Sequence, residues 1–354
     1  MKNSIKKFLR NDIDLLEEYK VFDSSGLIKL DAMENPFDFN VSCEFKNKSL
    51  SVNLNRYPDA NCENLKKLLK SKNHLDDNFD VIIGNGSDEL IQLICFAFLK
   101  PSNIVLCPHP SFSMYKKIAQ VVGLKFKEVA LKKDFSLDIE LMLDTIKKID
   151  PAVIFLAYPN NPTGNLWSKN DIDLIIKNTN GVVIIDEAYG DFSKQSYISE
   201  MRKYENLLIM KTFSKIGFAG LRVGYLFGQK EIIKELNKLR LPFNINSFSQ
   251  KISEFHIIEN DISKQTNEII KNKELLIKEL LKINNITVFQ SETNFVLFRL
   301  ENKSADNVFE KLINQKILVK NMSNTPSLNN CLRVTVGTKN ENELFIQSLK
   351  NSII

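Results

Sequence analysis

The residues best suited to chemistry begin with Lys215, in the run MKTFSKIGFAGLRVGY, where Thr212, Ser214 and Arg222 stand near it among glycines. A lysine held beside two hydroxyls, a guanidinium and small residues is a candidate desolvated amine. Such an amine forms Schiff bases once its pKa falls from about 10.4. A second candidate is Asp186, at the end of the apolar run VVIIDEAYGDF, with Tyr189 three residues on. A carboxylate at a buried strand end costs several kcal/mol unless a cation or donor meets it, so something positive should face Asp186, unless that strand end is exposed.

Two turns complete the set. In VIIGNGSDELIQL a strand passes through Gly84, Asn85 and Gly86 into a helix opening at Ser87 and Asp88. Such a turn aims unpaired N–H groups and the positive helix end at an anion, and a phosphate would suit it; it is equally a tight connecting turn. It is neither a GxGxxG fingerprint nor a P-loop. In AYPNNPTGNLWS two prolines, a glycine and paired asparagines make a rigid turn at the carboxyl end of a strand, where open α/β sheets bind ligands, and Asn160 and Asn161 offer amides there.

The elements that must position these groups alternate β-branched runs with helical stretches from about residue 80, the pattern of a mostly parallel sheet covered by helices. Strands are expected at 80–83, 104–107, 152–157, 181–185, 206–212 and 223–227, nearly continuously apolar as strands covered on both faces should be. Helices are expected at 88–99, 111–121 and 168–178, the last with Ser168 as N-cap. After Leu241 and Pro242 a long helical stretch (262–281) leads to β-rich segments at 286–289, 295–298, 317–320 and 332–336. The expected organisation is a large domain over 61–242, a smaller α+β domain over 243–354, and a segment 1–60 packing on the smaller domain.

Composition narrows the function classes. At roughly 150 residues per domain, 354 residues suit two domains or one large α/β domain. Hydrophobic residues are 43% and charged residues 26%, which is globular composition. Only seven of the 48 basic residues are arginine, so the net charge of +5 is scattered lysine rather than a nucleic-acid footprint. Five cysteines without a CxxC pair point to reduced thiols and a cytoplasmic setting, and His74, His109 and His256, far apart in sequence, to surface or loop positions and no metal site. No signal peptide or membrane-length apolar run is visible.

NNPTG, DEAY and SKxGxAGLR, in this order, with 25 residues from Asn161 to Asp186 and 29 from there to Lys215, resemble the fold type I aminotransferases that use pyridoxal 5'-phosphate. The likeness spans nearly the whole chain. It sharpens toward the histidinol-phosphate aminotransferases through DAMENP, NRYPD, GNGSDEL, PSFSMY, SETNFVL and CLRVTVGT. The resemblance implies a large domain with a mostly parallel sheet plus a smaller α+β domain, and a homodimer. It makes Lys215 the residue that carries the cofactor and shuttles a proton, and Asp186 the partner of its ring nitrogen. Tyr189 and Asn161 fall to the ring's phenolic oxygen and Phe112 to the ring face. Backbone N–H groups of Ser87 and Asp88, the hydroxyls of Thr212 and Ser214, Arg222, and Tyr57 from the other subunit would take the phosphate. Arg333 would grip the anionic ends of glutamate or 2-oxoglutarate and of histidinol phosphate or imidazole acetol phosphate, with Tyr19 and Asn35 also on the substrate side. Tyr19 sits in LEEYKVFDSSG, without the Pro and Gly that often flank the subgroup's tyrosine, and Lys215 and Arg222 are seven apart where many relatives have one residue more.

An aromatic amino-acid aminotransferase or a threonine-phosphate decarboxylase would keep the same apparatus and differ only in the side-chain pocket. A non-catalytic ligand-binding protein on this scaffold is disfavoured by the intact Lys215 and Asp186. A nicotinamide dehydrogenase lacks its glycine fingerprint.

Overall fold

The computed structural model describes residues 10, 13, 16, 21–37, 52–259 and 262–353; Tyr19 and Cys43 lie outside them. Its centre is a seven-stranded sheet of β2 (Phe79–Asn85), β3 (Ile104–His109), β4 (Lys125–Ala130), β5 (Val153–Ala157), β6 (Val182–Asp186), β7 (Leu207–Thr212) and β8 (Val223–Gln229), in the order β2-β8-β7-β6-β5-β3-β4. All neighbouring pairs are parallel except those of β8, which runs antiparallel to both β2 and β7.

Alternation along each strand feeds two cores. Ile154, Leu156, Val183, Ile185, Leu207 and Ile209 pack on one face of the sheet, and Val153, Phe155, Ile184, Leu208 and Met210 on the other. Period-two side chains on a sheet covered on both faces leave no polar stripe, which is why these strands read as unbroken apolar runs. Helices α1 (Glu63–Lys72), α2 (Gly86–Ala97), α3 (Met114–Val122), α4 (Ile139–Ile149), α5 (Lys169–Lys177) and α6 (Lys230–Asn237) supply the covers. Ser168 is the N-cap of α5 as the sequence predicts, although its side chain makes no capping hydrogen bond.

Helix α7 (Ser247–Glu259) lies beyond Pro242, yet Ile245, Ile252 and Ile257 join the core of the large sheet. The change of texture at Leu241 and Pro242 therefore does not coincide with the division between cores. The second core begins with α8 (Ser263–Leu280) and continues through β9 (Ile286–Val288), β10 (Phe295–Leu300), α9 (Ala305–Asn314), β11 (Ile317–Leu318), β12 (Lys320–Asn321), β13 (Cys331–Thr335) and α10 (Lys339–Ile353). Its four-stranded antiparallel sheet has the order β12-β13-β10-β9. The N-terminal strand β1 (Ile28–Lys29) pairs in parallel with β11, and Leu30 and Met33 enter this second core. Strand β4 and helix α4 have no counterpart among the sequence expectations. Lys125 and Lys127 put charge on one face of this strand and Glu128 puts it on the other, as an edge strand permits, so the segment offers no apolar run to read.

Candidate active site

Four strand ends converge on one cavity of about 100 Å³, lined by Ser87, Asp88, Phe112, Asn161, Asp186, Tyr189, Thr212, Ser214, Lys215 and Arg222 among others. These are ten of the eleven residues that the resemblance assigns to a cofactor. The eleventh, Tyr57, is not among the lining residues; the residue is 80% exposed, and its ring stacks on Phe243 with centroids 4.4 Å apart. Asn35 is also outside the lining, its amide bonded to Gln265 Oε1 at 3.0 Å and its Oδ1 accepting from the Phe37 N–H at 2.9 Å.

Asp186 ends β6 with 4% of its surface exposed. Among the described residues its carboxylate accepts from the Tyr115 hydroxyl at 2.5 Å and from the Ala188 N–H at 3.0 Å, both neutral donors. Burial, only partly offset by these donors, raises its pKa to about 6. Tyr115 is the residue that the sequence reading passed over within PSFSMY. Three residues beyond Phe112, in the first turn of α3, it reaches Asp186 by lying flat on Phe155 with centroids 4.6 Å apart.

Lys215 lies on a single 3-10 turn after β7, closed by Gly217 in a left-handed conformation. Its Nζ donates to Ala32 O at 3.3 Å and stands 5.8 Å from the Tyr189 ring centre. Desolvation first, and the Arg333 guanidinium second, lower its pKa to about 8, so roughly a tenth of the amine is unprotonated at pH 7. The Tyr189 hydroxyl accepts from Asn161 Nδ2 at 3.1 Å, and Asn161 Oδ1 accepts from Arg333 Nη1 at 2.5 Å. Arg333, on β13 and 7% exposed, also donates from Nη2 to Asp31 O at 3.0 Å. It joins Asn161 and Phe112 in lining a neighbouring cavity of about 310 Å³.

The turn from β2 into α2 is shaped as an anion cradle. Gly86 has φ of +78°, and a Cβ there would stand 2.5 Å from Arg222 Nη2. Gly224 lets β8 pass directly behind, since a Cβ on it would meet Gly86 C and Ser87 N at 2.6 Å. First-turn N–H groups of α2 have no helical carbonyl to bond, and Thr212 Oγ1, Ser214 and Arg222 stand around the same cavity. A buried carboxylate with neutral partners and a cradle that side-chain carbon would fill suit a cofactor bearing a basic ring nitrogen and a phosphate, so the residues present fit pyridoxal 5'-phosphate.

Histidine 256 departs from its expected surface position. It is 1% exposed on α7 between Phe213 and Phe218, the aromatic residues on either side of Lys215. Among the described residues no group of three or more His, Cys, Asp or Glu could hold a metal ion, and no helix is long and apolar enough to cross a membrane.

The sequence model of the family described as "Aminotransferase class I and II" matches residues 25–349. The chain is 42% identical over 353 residues to "Histidinol-phosphate aminotransferase 2" of Nitrosococcus oceani, covering 99% of this chain and 98% of that protein. It is similar to the solved histidinol-phosphate aminotransferase of Clostridium acetobutylicum, with a TM-score of 0.84 at 27% identity over 91% of this chain and 98% of that one. The fold also matches a Sinorhizobium meliloti histidinol-phosphate aminotransferase solved in complex with pyridoxal-5'-phosphate, with a TM-score of 0.82 at 20% identity, covering 92% and 90% of the two chains.

Proposed function

This chain belongs to the class I and II aminotransferase family, and from that premise we propose that it is a pyridoxal 5'-phosphate-dependent aminotransferase moving an amino group between histidinol phosphate and 2-oxoglutarate. One observation carries the reading: a single cavity holds an amine at Lys215, a buried carboxylate at Asp186 and an anion cradle at Gly86 to Asp88. When bound, pyridoxal phosphate supplies an aldehyde carbon for the substrate amine and a ring that accepts the electron pair left by a departing Cα proton.

Lys215 Nζ would take that proton from the substrate Cα and deliver it to what had been the cofactor's aldehyde carbon. Its depressed pKa leaves it able to act as a base near neutral pH. Asp186 keeps the ring nitrogen protonated, and the Tyr115 hydroxyl fixes the carboxylate that does so. Tyr189 and Asn161 orient the phenolic side of the ring. Arg222, Thr212, Ser214 and the first N–H groups of α2 bind the phosphate. The planar fork of Arg333 meets a carboxylate or a phosphate with paired donors.

The exposed Tyr57 fits a homodimer in which this phenol serves the neighbouring copy's phosphate, and the buried thiols of Cys62, Cys95, Cys107 and Cys331 suit the cytoplasm. The decisive assay reconstitutes the protein with pyridoxal phosphate and follows glutamate formation from histidinol phosphate and 2-oxoglutarate. Far faster conversion of phenylalanine, or carbon dioxide release from phosphothreonine, would overturn the substrate assignment.

A further inference from the structure

Residues 31–33 form a strap between the two cores, and three consecutive carbonyls on it accept from three side chains. Asp31 O takes Arg333 Nη2 at 3.0 Å, Ala32 O takes Lys215 Nζ at 3.3 Å, and Met33 O takes Asn294 Nδ2 at 3.0 Å. The first two of these donors are the working groups of the proposed site. The third has no chemistry to do there. Asn294 is fully buried, its Oδ1 has no hydrogen-bond partner among the described residues, and so the position is used for its N–H donor.

The strap bends at Met33, whose φ of +54° is a left-handed conformation that a methionine adopts only when its surroundings hold it there. Both peptide groups of Met33 are held. Its N–H donates to Thr335 Oγ1 at 3.0 Å and its carbonyl accepts from Asn294, while the Thr335 N–H donates to Leu30 O at 2.8 Å. Thr335 lies two residues beyond Arg333 on β13, and Asn294 immediately precedes β10, the strand paired with β13. Arg333 and the clasp on the strap therefore share one pair of hydrogen-bonded strands.

We propose that Asn294 and Thr335 are positioning residues for anionic-substrate binding, clasping Met33 so that the Asp31 carbonyl fixes the plane of the Arg333 guanidinium. The proposal rests on the reading of Arg333 as the anion-binding group. With the clasp broken, the 31–33 carbonyls lose their register and the guanidinium must be oriented by the substrate itself. A contact to a charged donor is worth enough that affinity for a dicarboxylate falls roughly tenfold.

The test uses succinate, a dicarboxylate that cannot react, titrated calorimetrically into reconstituted wild type and Asn294→Leu, Thr335→Val, Thr335→Ser and Arg333→Lys variants. Succinate binding should weaken in Arg333→Lys, about tenfold in Asn294→Leu and Thr335→Val, and hardly at all in Thr335→Ser, which keeps the hydroxyl. Glutamate KM should rise in parallel, with kcat within about threefold and the cofactor absorption unchanged. Thr335→Val keeps the test open should Asn294→Leu fail to fold. Wild-type succinate affinity in the folded clasp variants, equal loss in Thr335→Ser and Thr335→Val, or succinate binding indifferent to Arg333 would overturn the clasp. The two readings fail separately: succinate binding that depends on Arg333 and Asn294 without amino transfer from glutamate sinks the transferase and keeps the clasp. Amino transfer with succinate affinity indifferent to both clasp residues does the reverse.

Discussion

Two kinds of support meet at the cavity. Along the carboxyl edge of the large sheet, Asp186 and Thr212 end buried strands, and Tyr189 and Lys215 each follow three residues after them. At the seam between the two cores, Arg333 is aimed by Asn161, 172 residues away, and by Asp31, 302 residues away. On the sheet edge burial tunes the groups, raising Asp186 and lowering Lys215. At the seam hydrogen bonds set direction. On the proposed reading, the difference gives proton and charge work to a frame covered on both faces, and anion recognition to a joint whose parts belong to different cores.

The sharpest way to break this comparison is Lys215→Ala. Amino transfer should fall by roughly 10⁴-fold, with little change in glutamate affinity, because a proton carrier is lost from an intact frame. Borohydride reduction of wild type should fix the cofactor to Lys215, and labelling of a different lysine would remove the assignment. In the apoprotein, cofactor uptake should rise with pH and level off above about 8 rather than near 10.5, since only the unprotonated amine attacks an aldehyde carbon.

Asp186→Asn tests the same region through charge. A neutral amide cannot hold the ring nitrogen protonated, so half-reaction rates should drop by roughly 10² to 10³-fold with the cofactor still bound. Near-normal turnover would make Asp186 a structural acid. Arg333→Lys probes the seam and should behave oppositely. KM for glutamate and histidinol phosphate should rise about 10- to 100-fold, with a smaller change in kcat and the cofactor spectrum intact. A changed spectrum would mean that the seam is not separate from the frame.

The sheet edge was legible in sequence because each of its residues sits within a few positions of a strand end, where local pattern and turn chemistry locate it. The chain thus announced six of the seven large-sheet strands, and ten of the eleven residues that the resemblance assigns to a cofactor line the cavity. The seam was much less legible. Nothing local to Asn294 or Thr335 says that each will hold a peptide group of Met33, 261 and 302 residues away. Tyr115 lies between these cases: its spacing from Phe112 was visible, but its hydrogen bond to Asp186 depends on the order of β3, β5 and β6 in the sheet. His256 read as a surface residue because a single polar residue on a helix gives no sign of the two aromatic rings that enclose it.

That enclosure yields the smallest expected effect, on stability rather than rate. Burial, with Lys72 adding to it, lowers the His256 pKa from 6.5 to about 4, and its ring nitrogens have no hydrogen-bond partner among the described residues. Above pH 6.5 the imidazole is neutral in both folded and unfolded chains and contributes no pH dependence. Between 6.5 and 4 the unfolded chain takes up a proton that the folded one resists, so stability falls as pH drops through that window, by up to about 3 kcal/mol at its lower end. His256→Leu removes the proton site while keeping an apolar filling between Phe213 and Phe218. Urea midpoints at pH 7 and pH 4.5 should therefore separate, wild type losing more stability than the variant, while turnover at pH 7 stays within about twofold. Parallel losses in the two proteins would show that His256 is not held neutral behind the Lys215 turn, and the sheet-edge frame would then be less closed than its packing implies.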